Sequence, residues 1–356
     1  MAPVVQELER TPGIETRVCV TAQHRQMLDQ VLTLFEIRPD VDLDLMQENQ
    51  SLAELSAAIF THLDPVLEQV RPDWMLVQGD TTTSAVASLL AYYRRIRVGH
   101  VEAGLRTHDK WQPFPEEINR RVTGVIADLH FAPTEWARRN LLGEGVPEAS
   151  IVVTGNPVID ALQAVAARPE PAETARLLEK LGVGTQGKRL ILVTAHRREN
   201  FGGPLENICA ALRELAGRGD VEIVYPVHLN PNVQAPVHRL LDGVAHVSLL
   251  PPQDYLPLVH LMKRAALILT DSGGIQEEAP AFGVPVLVLR AVTERPEGVE
   301  AGVLKLVGTD GRLIVQEASR LLDDPAAYAG MARAVNPFGD GHAAARIVQT
   351  LLSYRS

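Results

Sequence analysis

Residues suited to binding a phosphate group follow one of the buried apolar runs of the sequence. The run ALILT is followed by Asp271, Ser272, Gly273 and Gly274, and a helical pattern begins at once. Paired glycines let the backbone approach a phosphate, and the first N–H groups of a helix and its dipole favour an anion. Ser272 adds a hydroxyl donor, although serine at such a position also caps many helices. Capping does not explain the paired glycines, so we interpret this segment as a phosphate site.

Two carboxylates lie on the first turns of the same predicted helix. Glu277 and Glu278 could accept hydrogen bonds from the two ribose hydroxyls of a nucleotide. Acidic residues also stabilise a helix N-terminus without binding anything. Because the phosphate segment comes directly before them, the nucleotide interpretation is favoured.

Histidine and arginine follow two further strands in the same half of the chain. VTAHRREN contains His196, Arg197 and Arg198, and VYPVHLNPN contains His228. Ligands of open α/β sheets bind at the carboxyl ends of strands, where these residues lie. We therefore expect a cationic cluster that faces a diphosphate. A zinc site fits less well, because no cysteine or third histidine shares the spacing.

Carboxylates occupy comparable positions in the first half of the chain. Asp80 follows the strand WMLVQ, Glu102 and Arg106 follow RVGHV, and Glu116 and Glu117 come after a proline-rich loop. Carboxylates placed at strand ends can move protons to and from a substrate. Asp80 is equally well explained as the N-cap of the next helix, and both interpretations stay open at this stage.

Three glycines imitate the fingerprint of a dinucleotide site. Gly182, Gly184 and Gly187 fit the pattern G-x-G-x-x-G, and the segment nearly fits a P-loop, but Arg189 stands where a P-loop has serine or threonine. Both motifs must follow a strand, whereas this loop precedes the strand RLILVT. We therefore expect no dinucleotide and no nucleotide phosphate at this loop.

The elements that would position these groups alternate regularly along the chain. Short apolar strands are separated by amphipathic helices, which is typical of parallel α/β sheets with helices on both faces. This pattern occurs twice. We predict two doubly wound, Rossmann-like domains at residues 1–155 and 156–339, with a C-terminal helix within residues 340–356 that packs back on the first domain.

The composition is that of an ordinary globular protein in a reducing compartment. The 356 residues are 46% apolar and 22% charged, and no apolar run is long enough to span a bilayer. The net charge of −10 disfavours nucleic acid as a partner. Cys19 and Cys209 fit neither a disulfide framework nor a zinc site. We therefore expect a cytoplasmic protein without nucleic-acid or membrane partners.

Seven motifs, in order along the chain, resemble those of the non-hydrolysing UDP-N-acetylglucosamine (UDP-GlcNAc) 2-epimerase family. They are QGDTTT, GHVEAGLRT, PFPEEINR, VTAHRRENFG, VYPVHLNPN, LTDSGGIQEEAP and TERPEGVEAG, and the resemblance runs from Ala2 to about Gly341. It implies a fold like that of the GT-B glycosyltransferases, with the active site in the cleft between two Rossmann-like domains. It also implies a homodimer that interconverts UDP-GlcNAc and UDP-N-acetylmannosamine (UDP-ManNAc) for cell-envelope polysaccharides, without an added cofactor.

The same resemblance implies roles for individual residues. The implied catalytic residues are Asp80, Glu102, Glu116 and His196. The implied UDP-binding residues are Arg120, Arg197, His228, Ser272, Gly273, Gly274 and Glu278. Gln23, His24 and Arg106 match positions implied to hold a second, activating UDP-GlcNAc.

The chemistry of such a reaction agrees with this set of residues. The C2 proton of an N-acetylhexosamine is not next to a carbonyl, so an enzyme must oxidise C3 with a nicotinamide or eliminate UDP across C1 and C2. Without a credible dinucleotide motif, elimination to a 2-acetamidoglucal and re-addition of UDP is favoured. Departure of UDP requires preorganised positive charge. The sequence does not assign which carboxylate removes the proton and which returns it.

Three other functions stay open from the sequence. A GT-B glycosyltransferase would share the phosphate segment and the ribose carboxylate, but it would transfer the sugar to an acceptor, and the paired carboxylate motifs disfavour it. A hydrolysing epimerase would release free N-acetylmannosamine and UDP. A nucleotide-sugar-binding protein without activity would bind UDP and exchange no proton.

The sequence also departs from the family pattern. The resemblance implies a strand and a G-T-R-P-E-x-x-K turn before Met1, and Gln78 replaces the usual histidine before Gly79. We expect a chain that begins at Met1 to lack a central strand of its first sheet and two cleft cations. Such a chain should have low stability and little turnover.

Overall fold

The structure is a computed structural model that describes residues 1–22, 25–47 and 50–354. Its strands are β1 (Cys19–Val20), β2 (Val41–Asp42), β3 (Trp74–Gln78), β4 (Arg97–Val101), β5 (Leu129–Ala132), β6 (Ile151–Val153), β7 (Arg189–Thr194), β8 (Val221–Pro226), β9 (Val247–Leu250), β10 (Ala265–Thr270), β11 (Val286–Val288) and β12 (Leu304–Leu306). Its α-helices are α1 (Ala2–Arg10), α2 (Arg25–Leu34), α3 (Leu52–Val70), α4 (Thr82–Tyr93), α5 (Glu116–Ile126), α6 (Glu135–Gly143), α7 (Pro157–Ala166), α8 (Ala172–Lys180), α9 (Gly203–Ala216), α10 (Pro231–Leu241), α11 (Tyr255–Arg264), α12 (Gly273–Glu278), α13 (Pro296–Glu300), α14 (Gly311–Asp323), α15 (Pro325–Ala332) and α16 (Ala343–Ser353).

The chain forms two compact units. Unit 1 comprises Met1–Ala161 and the chain from Phe338 onward, and unit 2 comprises Leu162–Pro337. The division thus falls within α7, a few residues after the predicted boundary at residues 155 and 156. Gly155 and Pro157, near that boundary, predict a hinge. In the structure, the Asn156 amide donates to the Phe338 carbonyl at 2.7 Å, so this segment is fixed inside unit 1.

Unit 1 is built on a parallel sheet in the order β3-β4-β5-β6, and β1 pairs with β2 in a separate two-stranded sheet. Alternation along β3 and β4 sends side chains to two opposite cores. Val77 and Val98 pack with α3 and α4 on one face, and Val101 packs with α1 and α16 on the other. Helix α16 therefore packs within unit 1, against α1.

Unit 2 contains a parallel sheet in the order β12-β11-β10-β7-β8-β9. Its central strands are almost wholly apolar because helices cover both faces. Ile191, Ile223 and Leu267 belong to a core that also includes side chains of α9, α10 and α14. The first strand of this unit, β7, lies next to β10, so the strand order reverses between these two strands.

The prediction of parallel α/β sheets is confirmed, because every pair of named strands is parallel. The sequence analysis missed β2 and β12, which contain two and three residues. Strands this short carry too few residues to show an alternating pattern. No helix in the described part of the chain is long and apolar enough to cross a membrane.

Candidate active site

The predicted ligand groups of unit 2 lie where its strand order reverses. Ligands of doubly wound sheets bind outside the carboxyl ends of the strands at this point. His196 follows β7 and Ser272 follows β10, and the two strands are hydrogen-bonded neighbours, with Thr194 paired to Thr270. Thr194 and Thr270 are 76 residues apart in the chain, so the topology brings together two distant segments.

Asp271 holds these two segments together. Its fully buried carboxylate accepts hydrogen bonds from the His196 amide at 2.9 Å, the Arg197 amide at 2.8 Å and the Asn200 side-chain amide at 2.9 Å. A buried carboxylate requires such donors to offset the cost of desolvation. The sequence analysis placed Asp271 in the phosphate segment. Its contacts instead make it the residue that fixes the loop after β7, and Asn200 was missed.

The rings of His196 and His228 are stacked, with centroids 5.2 Å apart and an angle of 20° between the planes. Burial lowers the pKa of His196, and the nearby Asp271 carboxylate opposes this effect. Nδ1 of His196 lies 3.8 Å from Asp271 Oδ1. The two predicted histidines are therefore one cluster, although they follow different strands.

The phosphate segment differs from an ordinary capped helix start. Ser272 occupies the N-cap position of α12, but its side chain makes no capping hydrogen bond. A Cβ on Gly273 would lie 2.7 Å from Nη1 of Arg295, whereas a Cβ on Gly274 would have no neighbour within 4 Å. The absence of a side chain at Gly273 thus leaves the space that the Arg295 guanidinium occupies, and the Ser272 hydroxyl is not used as a cap.

Arg295 is a cation that the sequence analysis did not assign to the site. Its Nε donates to Glu277 Oε1 at 2.6 Å, and its guanidinium lies against Gly273. Its presence in the quoted motif TERPEGVEAG was the available signal. Glu277 therefore binds an arginine of its own unit, which leaves Glu278 as the ribose candidate.

Glu278 is a buried carboxylate that pairs with a tyrosine. The Tyr255 hydroxyl donates to Glu278 Oε1 at 2.5 Å. Burial raises the pKa of Glu278 to about 7, while this hydrogen bond acts in the opposite direction. Tyr255 lies at the start of α11 and was missed, because nothing in the local sequence links it to a carboxylate more than twenty residues away.

In unit 1, Asp80 is an ion-pair partner and not a helix cap. Helix α4 is capped by Thr81, whose side chain accepts a hydrogen bond from the Ser84 amide. The Asp80 carboxylate pairs with the Arg120 guanidinium, and the Asp80 carbonyl accepts from the Asn119 side chain at 2.9 Å. The capping interpretation of Asp80 is therefore wrong, and α5 supplies its partners.

Glu102 follows β4 and lies close to Gly79, the residue before Asp80. A Cβ on Gly79 would lie 3.9 Å from Glu102 Oε2, and Gln78 Nε2 donates to the same oxygen at 3.1 Å. Glu102 has φ of +62°, a conformation that costs free energy for a residue other than glycine. Such strain is concentrated at functional sites, and sequence patterns do not reveal it.

Glu116 begins α5, on the same helix as the Asp80 partners. Its Oε2 atom is buried and makes no hydrogen bond within the described residues. A buried carboxylate oxygen without a partner is costly in a protein that binds nothing there. Asp80, Glu102 and the first turns of α5 thus meet at one edge of the sheet.

Arg106 makes its hydrogen bonds to residues of its own unit. Its side chain is fully buried and makes two hydrogen bonds of 2.8 Å to the Glu144 carboxylate and one of 2.7 Å to the Leu105 carbonyl. These contacts hold Arg106 in place, and its role in a second UDP-GlcNAc site stays a prediction. Gln23 and His24, predicted for the same site, lie outside the described residues.

No group of three or more His, Cys, Asp or Glu side chains is arranged to hold a metal ion within residues 1–22, 25–47 and 50–354.

The sequence was also compared with known families and proteins. A family model described as UDP-N-acetylglucosamine 2-epimerase matches residues 6–352. The chain is 57% identical over 358 residues to the UDP-N-acetylglucosamine 2-epimerase of Salmonella typhimurium, covering 100% of this chain and 95% of that protein. It is 54% identical over 360 residues to the protein of the same name from Escherichia coli K12, with the same coverage.

The chain belongs to the UDP-N-acetylglucosamine 2-epimerase family. The crystal structure of the Neisseria meningitidis UDP-GlcNAc 2-epimerase bound to UDP-GlcNAc is similar to this epimerase-family chain, with a TM-score of 0.89 and 49% identity, covering 99% of this chain and 96% of that one. The Methanocaldococcus jannaschii UDP-GlcNAc 2-epimerase in complex with UDP-GlcNAc and UDP gives a TM-score of 0.80 and 32% identity, also covering 99% and 96%.

Two predictions from the motifs are thereby confirmed. The family is the one that the seven motifs resemble, and the fold of this epimerase-family chain is GT-B-like with Rossmann-like units. The roles of the individual site residues are supported by the geometry of each unit and stay proposals.

Proposed function

We propose that this chain interconverts UDP-GlcNAc and UDP-ManNAc by eliminating UDP and adding it back. The main support, in a chain of this family, is that Asp80 and Glu102 follow the neighbouring strands β3 and β4 and lie close to the first turns of α5. Proton removal and return at C2 need two acid/base groups, and carboxylates at this edge supply them. A glycosyltransferase has no need of such a set.

The proposed reaction begins with an elimination. A carboxylate takes the C2 proton, the electron pair of the C2–H bond forms the C1=C2 double bond, and the C1–O bond breaks with its electrons going to UDP. The product is 2-acetamidoglucal. In the return step, a second carboxylic acid delivers a proton to the opposite face of C2, and a UDP oxygen forms the new bond to C1. We assign these proton transfers to Asp80, Glu102 and Glu116, without allotting the two directions among them.

We assign UDP to unit 2. His196 and Arg197 follow β7, and His228 follows β8 and stacks on His196. The Arg197 amide donates to Asp271, directly before the Ser272–Gly274 segment. Together these residues supply the hydrogen-bond donors and positive charge that stabilise a departing diphosphate. Glu278 is assigned to the ribose hydroxyls. Arg120 was predicted to bind UDP, but its ion pair with Asp80 supports a role beside the acid/base groups.

The chain should also form a homodimer. An exposed apolar surface on unit 1 supports this assignment, and we call it the α4/α5 patch. It comprises Tyr92 and Tyr93 at the end of α4 and Ile118, Val122 and Val125 on α5, and Val125 is 88% exposed. Exposed apolar patches of this kind mark protein interfaces. Val125→Asp should give a monomer in analytical ultracentrifugation, and Val335→Asp, at an exposed valine of unit 2, should leave the dimer intact.

A second, activating UDP-GlcNAc and a cytoplasmic role in supplying UDP-ManNAc for cell-envelope polysaccharides complete the proposal. Family membership supports the former, and the two free cysteines support a reducing compartment. A sigmoidal dependence of the initial rate on UDP-GlcNAc would support the activating site, and a hyperbolic one would count against it.

Product analysis tests the proposed function. The chain is incubated with UDP-GlcNAc, and the products are resolved by proton NMR. UDP-ManNAc in equilibrium with UDP-GlcNAc is the expected result. Free N-acetylmannosamine with UDP would identify a hydrolysing enzyme, transfer to an added acceptor would identify a glycosyltransferase, and binding of UDP without any product would leave only a binding protein.

A further inference from the structure

Glu117 is a buried carboxylate next to the proposed acid/base residue Glu116, and no role follows for it from the proposed reaction. Its side chain is fully buried. Burial of a carboxylate is costly unless several donors surround it, so the partners of Glu117 reveal what it does.

Arg120 and Arg121 of α5 lie 3.9 and 3.6 Å from the Glu117 carboxylate, and its hydrogen-bond donors belong to the loop before α5. Glu117 Oε2 accepts a hydrogen bond from the Thr107 amide at 3.0 Å, and Oε1 accepts one from the His108 amide at 3.2 Å. Hydrogen bonds to an ionised acceptor are roughly twice as strong as neutral ones. The carboxylate therefore fastens the beginning of the loop to the helix that follows the end of the loop.

The fastened backbone adopts a conformation that requires such support. His108 has φ of +65°, which a residue other than glycine rarely adopts. Residues in this region persist only where their surroundings hold them in place. Glu117 accepts the His108 amide itself, so the hydrogen bond acts at the strained residue.

Thr107 extends this contact into the loop. Its hydroxyl donates to the Gln112 carbonyl, and the Asp109 carboxylate accepts from the Trp111 amide at 2.9 Å. Trp111 stacks on Phe114 with centroids 5.8 Å apart, just before Glu116. The loop is thus held at its beginning by Glu117 and leads directly into Glu116, the first residue of α5.

Glu117 also faces the partner of Asp80. Nη1 of Arg120 lies 3.9 Å from Glu117 Oε2, and its Nη2 pairs with the Asp80 carboxylate. The buried Glu117 side chain therefore contacts both the loop that leads into Glu116 and Arg120, the ion-pair partner of Asp80.

We propose that Glu117 is a positioning residue that latches the loop of residues 107–115 to α5 and so sets the placement of Glu116 and Asp80 for proton transfer at C2. The inference rests on the proposed function. A displacement of about 1 Å at a reacting group lowers a rate about 100-fold, so loss of the latch should act on the chemical step.

Glu117→Gln and Glu117→Asp test the latch, with Glu135→Gln at an exposed glutamate of α6 as the matched control. Glutamine keeps the side-chain length but turns an N–H group toward backbone N–H donors, whereas aspartate keeps the charge beside Arg120 but is one methylene too short. Both variants should show at least about tenfold faster hydrogen exchange at the Thr107 and His108 amides and about 100-fold lower kcat. The affinity for UDP should stay within about twofold, because UDP is assigned to unit 2.

Three outcomes would overturn the role of Glu117. They are unchanged amide exchange in both variants, faster exchange with unchanged kcat, and an equal loss of UDP affinity and kcat together with lower thermal stability, which would indicate a merely structural residue. Wild-type chain that forms no UDP-ManNAc would instead overturn the proposed function, and the role of Glu117 in it, whatever the variants do.

Discussion

The Tyr255 hydroxyl donates a hydrogen bond of 2.5 Å to Glu278, the carboxylate that we assign to the ribose of UDP. This hydrogen bond lowers the pKa of Glu278. Burial raises the pKa of Glu278 to about 7. An ionised carboxylate can accept from both ribose hydroxyls, whereas the protonated form has lost part of that capacity. The nucleotide site is therefore poised to respond to pH near neutrality.

We expect the affinity for UDP-GlcNAc to fall as the pH drops below about 7. The raised pKa means that the group is protonated in the free protein at pH 6 and ionised at pH 8. Binding that needs the ionised form loses up to about tenfold per pH unit below the pKa. Isothermal titration calorimetry between pH 6 and 8 measures this. Glu278→Gln should bind more weakly and lose the fall in affinity below about pH 7, and a wild-type affinity that does not fall there would contradict the assignment.

Tyr255→Phe should raise KM about tenfold and leave kcat nearly unchanged. A hydrogen bond to a charged group contributes roughly 1.5–3 kcal/mol, and Glu278 is assigned to the ribose and not to the reacting carbons. Because the hydrogen bond lowers the pKa of Glu278, its loss raises that pKa further, so the defect should be largest at pH 6 and smallest at pH 9. Tyr328→Phe, at a half-buried tyrosine of unit 2, is the control.

The phosphate segment and the histidine cluster could be predicted because their residues are contiguous and follow strands. Tyr255 and Asn200 could not, since each acts on a residue that folding brings close and local sequence does not. Arg295 lies in one of the seven motifs, but only the structure shows that it pairs with Glu277. Asp80 shows the same limit, because aspartate and threonine are both good N-caps. Only the structure shows that Thr81 caps α4 and that Asp80 pairs with Arg120.

Gly273→Ala should destabilise the fold, whereas Gly274→Ala should not. The new Cβ at Gly273 would lie 2.7 Å from Arg295, which is also held by Glu277, but the Cβ at Gly274 would meet nothing within 4 Å. Overpacking of this kind costs about 1–3 kcal/mol. Urea denaturation of the two variants provides a matched comparison, and equal midpoints would show that Arg295 does not lie against Gly273.

Glu144→Ala should lower the free energy of unfolding by about 2 kcal/mol. The substitution leaves the buried Arg106 guanidinium without its carboxylate, but the cost stays below the roughly 3–5 kcal/mol of a fully buried pair because the Glu144 side chain is 32% exposed. Glu148→Ala, which removes an exposed partner of Arg138, should cost about 0.5 kcal/mol or less. If Glu144→Ala instead left stability unchanged and altered the dependence of the rate on UDP-GlcNAc, Arg106 would be a ligand, as the sequence implied.

Arg106 and Glu102 also show that the role of a site residue depends on features that the sequence does not show. An arginine close after a strand resembles a ligand in the sequence, and only the structure shows that Arg106 is buried and makes two hydrogen bonds to Glu144. The backbone strain at Glu102, which supports a functional role, depends on the packing of its surroundings and leaves no sequence pattern.

In the proposed reaction, the C2–H bond breaks at the carboxylates of unit 1. We would incubate the chain with UDP-GlcNAc in D₂O and follow C2 by NMR, with Glu116→Gln as the comparison. We expect UDP-ManNAc carrying deuterium at C2, followed by deuterium in the recovered UDP-GlcNAc, and a rate at least about 100-fold lower in the variant. UDP-ManNAc that retains protium at C2, or a Glu116→Gln variant that exchanges at the wild-type rate, would contradict this proposal.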